Sequence, residues 1–193
     1  MTRRNKVLTW LTLLILLNIA SSSIIYWQQS RKLEALSAYT LAMEVDKYLL
    51  ECRRQEKNFF IRTSMEAIQQ YTANHDTASS LILKLMQKRL PNNAKTACSA
   101  LAAQMDNYQK AFRAISIYRR DNPVGNDMIS MMHMCTEIAR QCHSHVASII
   151  AESEQLHQAA NRTAGMITLI LLIGTPMVSI LIAVFIIKES TVP

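Results

Sequence analysis

Two uninterrupted apolar runs dominate the pattern of this chain. Val7 to Trp27 and Met166 to Ile187 contain no charged residue. Each is about twenty residues long, enough at ~1.5 Å rise per residue to cross a ~30 Å hydrocarbon core. Both are predicted to be transmembrane helices. Arg3, Arg4 and Lys6 precede the first run and also fit the basic start of a cleaved signal peptide. The run is longer than a typical signal core, however, and continues past Ala20-Ser21-Ser22-Ser23 to Tyr26 and Trp27. A retained helix is therefore the expectation. Trp10, Tyr26 and Trp27 suit interfacial positions at its two ends.

Between the runs no stretch alternates apolar and polar residues as a strand would, while four show helical spacing. The first stripe is Ala38, Leu41, Val45, Leu49, Cys52, Glu56 and Phe59 or Phe60. The second is Met65, Ile68, Tyr71, Ala78, Leu81 and Leu85, with Ile82 beside it. Ala97, Leu101, Met105, Tyr108, Phe112 and Ile115 make the third. The fourth, Met128, Met131, Cys135, Ile138, Cys142, Val146, Ile149 and Leu156, leads into the second apolar run. Leu90-Pro91-Asn92-Asn93 stops one helix and offers an Asn cap to the next. The segment from Asp121 to Asn126 is a turn, with Asn126 or Asp127 as the next cap. Thr63 or Ser64, near Glu66, suggests a further start, and one long bent helix is the alternative. The predicted fold is all-α, an up-down four-helix bundle between two transmembrane helices.

Composition agrees: half of the 193 residues are hydrophobic, and only three Gly and four Pro interrupt helix formation. The basic cluster at residues 3–6 outweighs Lys188 after the second run and places the N-terminus in the cytoplasm. The organisation is then 1–6 cytoplasmic, 7–27 spanning, 28–165 extracytoplasmic, 166–187 spanning and 188–193 cytoplasmic. In a bacterium this is an inner-membrane protein with a periplasmic centre. Of the net charge of +7, +4 falls on residues 28–165, with 17 Lys+Arg against 13 Asp+Glu; it is spread diffusely, which favours small anions or anionic lipid headgroups over nucleic acid.

Arg53-Arg54-Gln55-Glu56-Lys57-Asn58-Phe59-Phe60-Ile61-Arg62 is the most informative run. Glu56 falls on the apolar face, where an unpaired carboxylate costs about 3–5 kcal/mol. Arg53, one turn away, is its nearest partner in sequence, with Arg113, Arg119 and Arg120 as others. A structural Arg53–Glu56 ion pair stands against an anion site, since guanidinium groups suit carboxylates. Arg53, Arg54, Lys57 and Arg62 are the anion-facing candidates. They cannot share one pocket, because helical neighbours point ~100° apart.

The run resembles one found in the sensor domains of bacterial methyl-accepting chemotaxis proteins, closest to the helical bimodular type. Tyr108 and Phe112 are similar to a pair in the same family, and the span–bundle–span layout is also similar to some sensor histidine kinases. The resemblance implies a homodimeric receptor input module, with a small ligand, carboxylates included, bound between helices, Tyr108 and Phe112 at the site, and a signal passed through the second span. Residues 28–165 hold at most one bundle, so the resemblance implies a reduced relative of the two-bundle type or a simple four-helix sensor. Lys188 to Pro193 resembles the start of a HAMP linker, which implies an output half beyond it. A stand-alone two-span protein of structural or metal-stress role is the competing class.

Met128, Met131, Met132, His133, Met134, Cys135, Cys142, His143 and His145 hold soft ligands that would suit copper. Met128, Met131, Cys135 and Cys142 fall on the core stripe, so packing is the expectation and no metal or cofactor is assigned. Of the four cysteines, Cys135 and Cys142 lie ~10 Å apart along one helix, too far for a bridge. Cys52 is level with either, Cys98 stands alone, and free thiols are the default. The sequence contains no phosphate loop, His-Glu-x-x-His or nucleophile elbow, and no enzymatic activity is expected.

Overall fold

The computed structural model describes residues 3–121 and 125–191. It is helical almost throughout, with four helices among the described residues: α1 (Arg3–Arg62), α2 (Met65–Met86), α3 (Asn92–Asp121) and α4 (Asn126–Thr191). The all-α class follows from a sequence poor in breakers. Asn122, Pro123 and Val124 of the predicted turn, and Val192 and Pro193 of the tail, lie outside the described residues.

The chain divides into two units, Met1–Leu33 with Gln158–Pro193, and Glu34–His157. In the first, apolar side chains face outward. Leu8, Leu16, Ile19, Ile170, Leu172 and Ile180 are each at least half exposed. A core helix of a soluble protein would bury this stripe. Instead, none of the most apolar 18-residue window of α1 is buried, and only 6% of that of α4. Two helices long and apolar enough to cross a membrane suggest membrane association. Within this unit Trp10 and Phe185 stack at 5.7 Å between centroids. Asn18, Ser21, Thr168, Thr175 and Ser179 line a cleft of about 410 Å³. Pro176 sits inside α4 without ending it.

The second unit has one buried core drawn from all four helices. Ala38, Val45, Leu49, Cys52 and Phe59 come from α1, and Tyr71, Ala78, Ile82 and Leu85 from α2. Leu101, Met105, Tyr108, Phe112 and Ile115 of α3 meet Met128, Cys135, Cys142, Val146 and Ile149 of α4. Spacings of three and four bring each set to one face. Met65, placed on the second stripe by spacing, is 64% exposed; Ala67 takes its place in the core.

The breaks carry their own chemistry. α1 ends at Arg62, and Thr63 adopts φ 52°, a left-handed conformation, with its N–H bonded to Phe59 O at 2.8 Å. That bond satisfies an orphan carbonyl of the last turn. α2 stops at Met86, four residues before the predicted stop at Leu90, and the chain turns through Lys88 N–H to Leu85 O. α3 starts at Asn92 directly after Pro91, whose carbonyl accepts from Lys95. Asn92 is thus the first helical residue rather than the cap. In the same way α4 begins at Asn126, and Gly125 O accepts from Ile129 N–H. The residue in front of that helix is Gly125, not Asn126 or Asp127.

Candidate functional site

Glu56 is the one acidic side chain fully enclosed in the described core, with 0% exposure. Its apolar-face position is what the heptad-like spacing from Leu49 and Cys52 dictates, and burial demands partners. Two supply them. Arg53 Nη1 donates to both carboxylate oxygens at 2.5 and 2.6 Å. Tyr108, from α3, donates its hydroxyl to Glu56 Oε2. Arg53 is itself mostly enclosed, its side chain 19% exposed. Burial alone would lower its pKa, but the hydrogen bond and charge of Glu56 more than offset this, and the net shift is upward. Burial and then the Glu56 charge push the Tyr108 hydroxyl well above its ordinary range, keeping it a proton donor.

Aromatic rings wall this polar centre. Tyr71 meets Phe112 at 4.0 Å and Tyr108 at 5.4 Å, and Phe59 meets Phe112 edge-on at 5.6 Å. Tyr71 Oη is buried without a hydrogen-bond partner among the described residues. His75 Nε2 lies 3.1 Å from Met105 O; a carbonyl only accepts, so that nitrogen donates. Cys52 Sγ donates weakly to Tyr71 O at 3.8 Å. The arrangement ties α1, α2 and α3 together through polar contacts inside an apolar core. Its two charges neutralise each other, and only the Arg53 side chain reaches solvent in part.

All four cysteines are free and buried. Burial pushes the Cys52 and Cys142 thiols up to about 12 and Cys98 to about 11. Cys135 is raised further, by burial and then by Glu56. These thiols are core residues of low reactivity. Among the described residues no group of three or more His, Cys, Asp or Glu side chains converges as metal ligands. On the Met/His/Cys stretch of α4, Met128, Cys135 and Cys142 pack in the core while His133 and Met134 face outward. His143 Nδ1 lies 3.4 Å from Asp46 Oδ1.

The remaining basic candidates separate. Arg54 is exposed and pairs loosely with Glu51 at 3.4 Å. Lys57 is exposed. Arg119 is half-buried, its Nε unpartnered; the Arg120 side chain lies outside the described residues. Arg62, by contrast, lines a cleft of about 160 Å³ where α1 ends and α2 begins. Gln55, Asn58 and Arg62 supply the α1 wall; Ser64, Glu66 and Gln70 supply the other. Gln55 is 3% exposed and accepts from Asn58 Nδ2 at 3.1 Å. Gln70 Nε2 donates to Glu66 Oε1 at 3.0 Å.

Neither family models, nor curated proteins, nor solved structures yield a match to this chain. Its chemistry therefore has to be read from its own residues. Sequence reasoning found Glu56, Arg53 and Arg62 but not Gln55, Ser64, Glu66 and Gln70 as a group, nor the buried His75. Gln55 offered a signal: it is adjacent to Glu56 and three before Asn58, a spacing that puts two amides on one helical turn.

Proposed function

We propose that the chain is the input module of a transmembrane receptor. In this reading α1 and α4 cross the membrane over residues 7–27 and 166–187. Residues 28–165 form an up-down four-helix bundle outside the cytoplasm, the periplasm in a bacterium, and two copies associate as a homodimer. A small ligand held by the helices of this bundle favours one arrangement of α4 over another. Only a difference in affinity between the two arrangements can move that equilibrium.

One observation carries the reading. α1 is unbroken from Arg3 to Arg62, and α4 from Asn126 to Thr191, so each carries an outward-facing apolar stretch and residues of the shared core on one continuous helix. A helix without a break transmits displacement along its axis, whereas a flexible linker would absorb it. The Arg-Arg-x-Glu-Lys-x-Phe-x-x-Arg run supports a chemoreceptor-like assignment by resemblance. The buried Arg53–Glu56–Tyr108 network supplies a fixed tie between helices rather than the ligand contacts the resemblance implies for Arg53 and Tyr108.

The test is topology. All native thiols are buried, so a Gln69→Cys variant offers a single exposed thiol on α2. A membrane-impermeant maleimide should label it in intact cells. Labelling only after lysis would place the bundle in the cytosol and overturn the receptor reading.

A further inference from the structure

The +4 of residues 28–165 is less diffuse than it reads over the whole region. Residues 77–105 hold Lys84, Lys88, Arg89 and Lys95 and no Asp or Glu. The remainder of 28–165 balances, with 13 Lys+Arg against 13 Asp+Glu. We infer that the α2–α3 link and the helix turns on either side of it form a docking surface for anionic phospholipid headgroups. The inference rests on the spanning reading, which supplies the membrane that this surface meets.

Three further observations carry it. First, Lys84 and Lys88 line a cleft of about 500 Å³ with Glu34, Ser37 and Leu41 of α1. Glu34 is the first residue of the four-helix unit and stands seven positions after Trp27, where the first charge-free run ends. At ~1.5 Å per residue that is about 10 Å of helix. The polar layers of a bilayer add roughly 5–7 Å on each side of its core, and the surface potential extends ~8 Å further. The cleft therefore lies within the field of the headgroups when residues 7–27 span. Second, the four cations are free. None makes an ion pair with a described residue, although Glu34 lines the same cleft as Lys84 and Lys88. Third, helix chemistry explains only part of the cluster. Lys84, in the last turn of α2, suits the negative end of that helix. Lys95 lies in the first turn of α3, which holds no acidic residue, so a cation stands at the positive end. A local conflict of this kind points to a need outside the helix.

Charge and setting narrow the partner. Lys84, Arg89 and Lys95 are exposed and Lys88 is half-buried, and the cleft gathers only Lys84 and Lys88. The four together suit an extended anionic surface rather than one enclosed anion. Lys and Arg lay their apolar stems along a surface while the charged ends reach phosphate. Four of them between residues 84 and 95 match the density at which basic clusters beside a spanning helix hold anionic lipids.

The experiment is electron spin resonance of the full chain in phosphatidylcholine vesicles, with a trace of spin-labelled phosphatidylglycerol or spin-labelled phosphatidylcholine. The motionally restricted fraction of each label gives the preference of the protein for the anionic headgroup. The parent should favour phosphatidylglycerol. Lys84→Gln, Lys88→Gln, Arg89→Gln and Lys95→Gln together should lower that preference by roughly twofold or more. Salt at ~1 M, where the screening length falls to ~3 Å, should bring the parent down to the variant. Lys57→Gln, Arg62→Gln, Lys110→Gln and Arg113→Gln together remove the same charge from other exposed positions and should leave the preference unchanged. If the fourfold link variant fails to fold, Lys84→Gln with Lys95→Gln, both exposed, should give a smaller fall in the same direction. An unchanged preference in the link variants would overturn the inference, as would an equal fall in the control variant. Loss of the parent preference in millimolar inorganic phosphate, but not in chloride of equal ionic strength, would mark a free-anion site and overturn it too. A chain that fails to enter the vesicles, read by protease protection, sinks the spanning reading and the inference with it. Entry with an unchanged preference sinks the inference alone.

Discussion

Glu56 of α1 and Tyr108 of α3, 52 positions apart in sequence, share a hydrogen bond inside the core. With Arg53 on the other side, the carboxylate is satisfied from two directions, and the polar centre becomes a registration point between helices. Such networks stabilise little when complete but cost much when broken. Tyr108→Phe removes one donor from a buried charged acceptor and should destabilise by about 1–3 kcal/mol. Arg53→Ala strands the carboxylate and should cost about 3–5 kcal/mol. Urea unfolding of the full chain in micelles, followed by circular dichroism, reads both. The paired replacement Arg53→Met with Glu56→Leu should recover most of the loss. If it is as unstable as Arg53→Ala, the pair is not what the cost reports.

Alkaline pH should unfold the helical core through its thiols. Cys52 and Cys142 have ordinary values of 9.0 and are held near 12 by burial. Between those values the unfolded chain has lost protons that the folded chain keeps. Stability is therefore full below pH 9 and declines as pH rises towards 12. Each thiol contributes about 1.4 kcal/mol per pH unit, roughly 3 for the two. That reaches the usual ~5–15 kcal/mol of a domain above about pH 11. Replacing both by Ala should flatten the slope, measured as unfolding midpoint against pH. At pH 8 an aromatic disulfide reagent should titrate these thiols only after denaturant is added.

Thr63 stands where helices that end in a left-handed residue usually place Gly. Its φ of 52° costs a β-branched side chain roughly 1–2 kcal/mol, partly offset by the greater freedom glycine has when unfolded. Thr63→Gly should stabilise the helical core by about 0.5–1 kcal/mol, seen as a rise in the urea midpoint with unchanged slope. A loss of stability would mean that the Thr63 side chain makes a contact worth more than the strain.

What the sequence made readable follows from the range of the forces involved. The core stripes of α1, α3 and α4 emerge from three-and-four spacing because burial is periodic along a helix. Arg53 and Glu56 sit within one turn, so their proximity is local as well. The break after Arg62 was ambiguous because Thr is a poor marker of a left-handed position, and only the folded backbone reveals its φ. Tyr108 as the second partner of Glu56, His75 bonded to Met105 O, and the cleft lined by both Gln55 and Glu66 all depend on how separate helices pack. Spacing within one helix does not encode them. α2 ending at Met86 rather than Leu90 has a related cause: Pro91 limits how far a helix can run, but not how soon it stops.

The outward apolar faces make a separate prediction. Leu13 and Leu172 are 46% and 69% exposed on α1 and α4, each the seventh residue of its charge-free run. A Lys at the centre of a spanning helix costs about 2.5–3.5 kcal/mol on insertion scales, and less a third of the way along, so the two replacements are made together. Leu13→Lys with Leu172→Lys should therefore sharply lower the fraction of chain integrated into membranes, read by protease protection. Leu83 is similarly exposed, at 61%, but lies on α2 in the four-helix unit. Leu83→Lys should leave integration unchanged. Equal behaviour of the two variants would mean that the exposed leucines of α1 and α4 face water or protein rather than lipid, and the spanning assignment would fall with it.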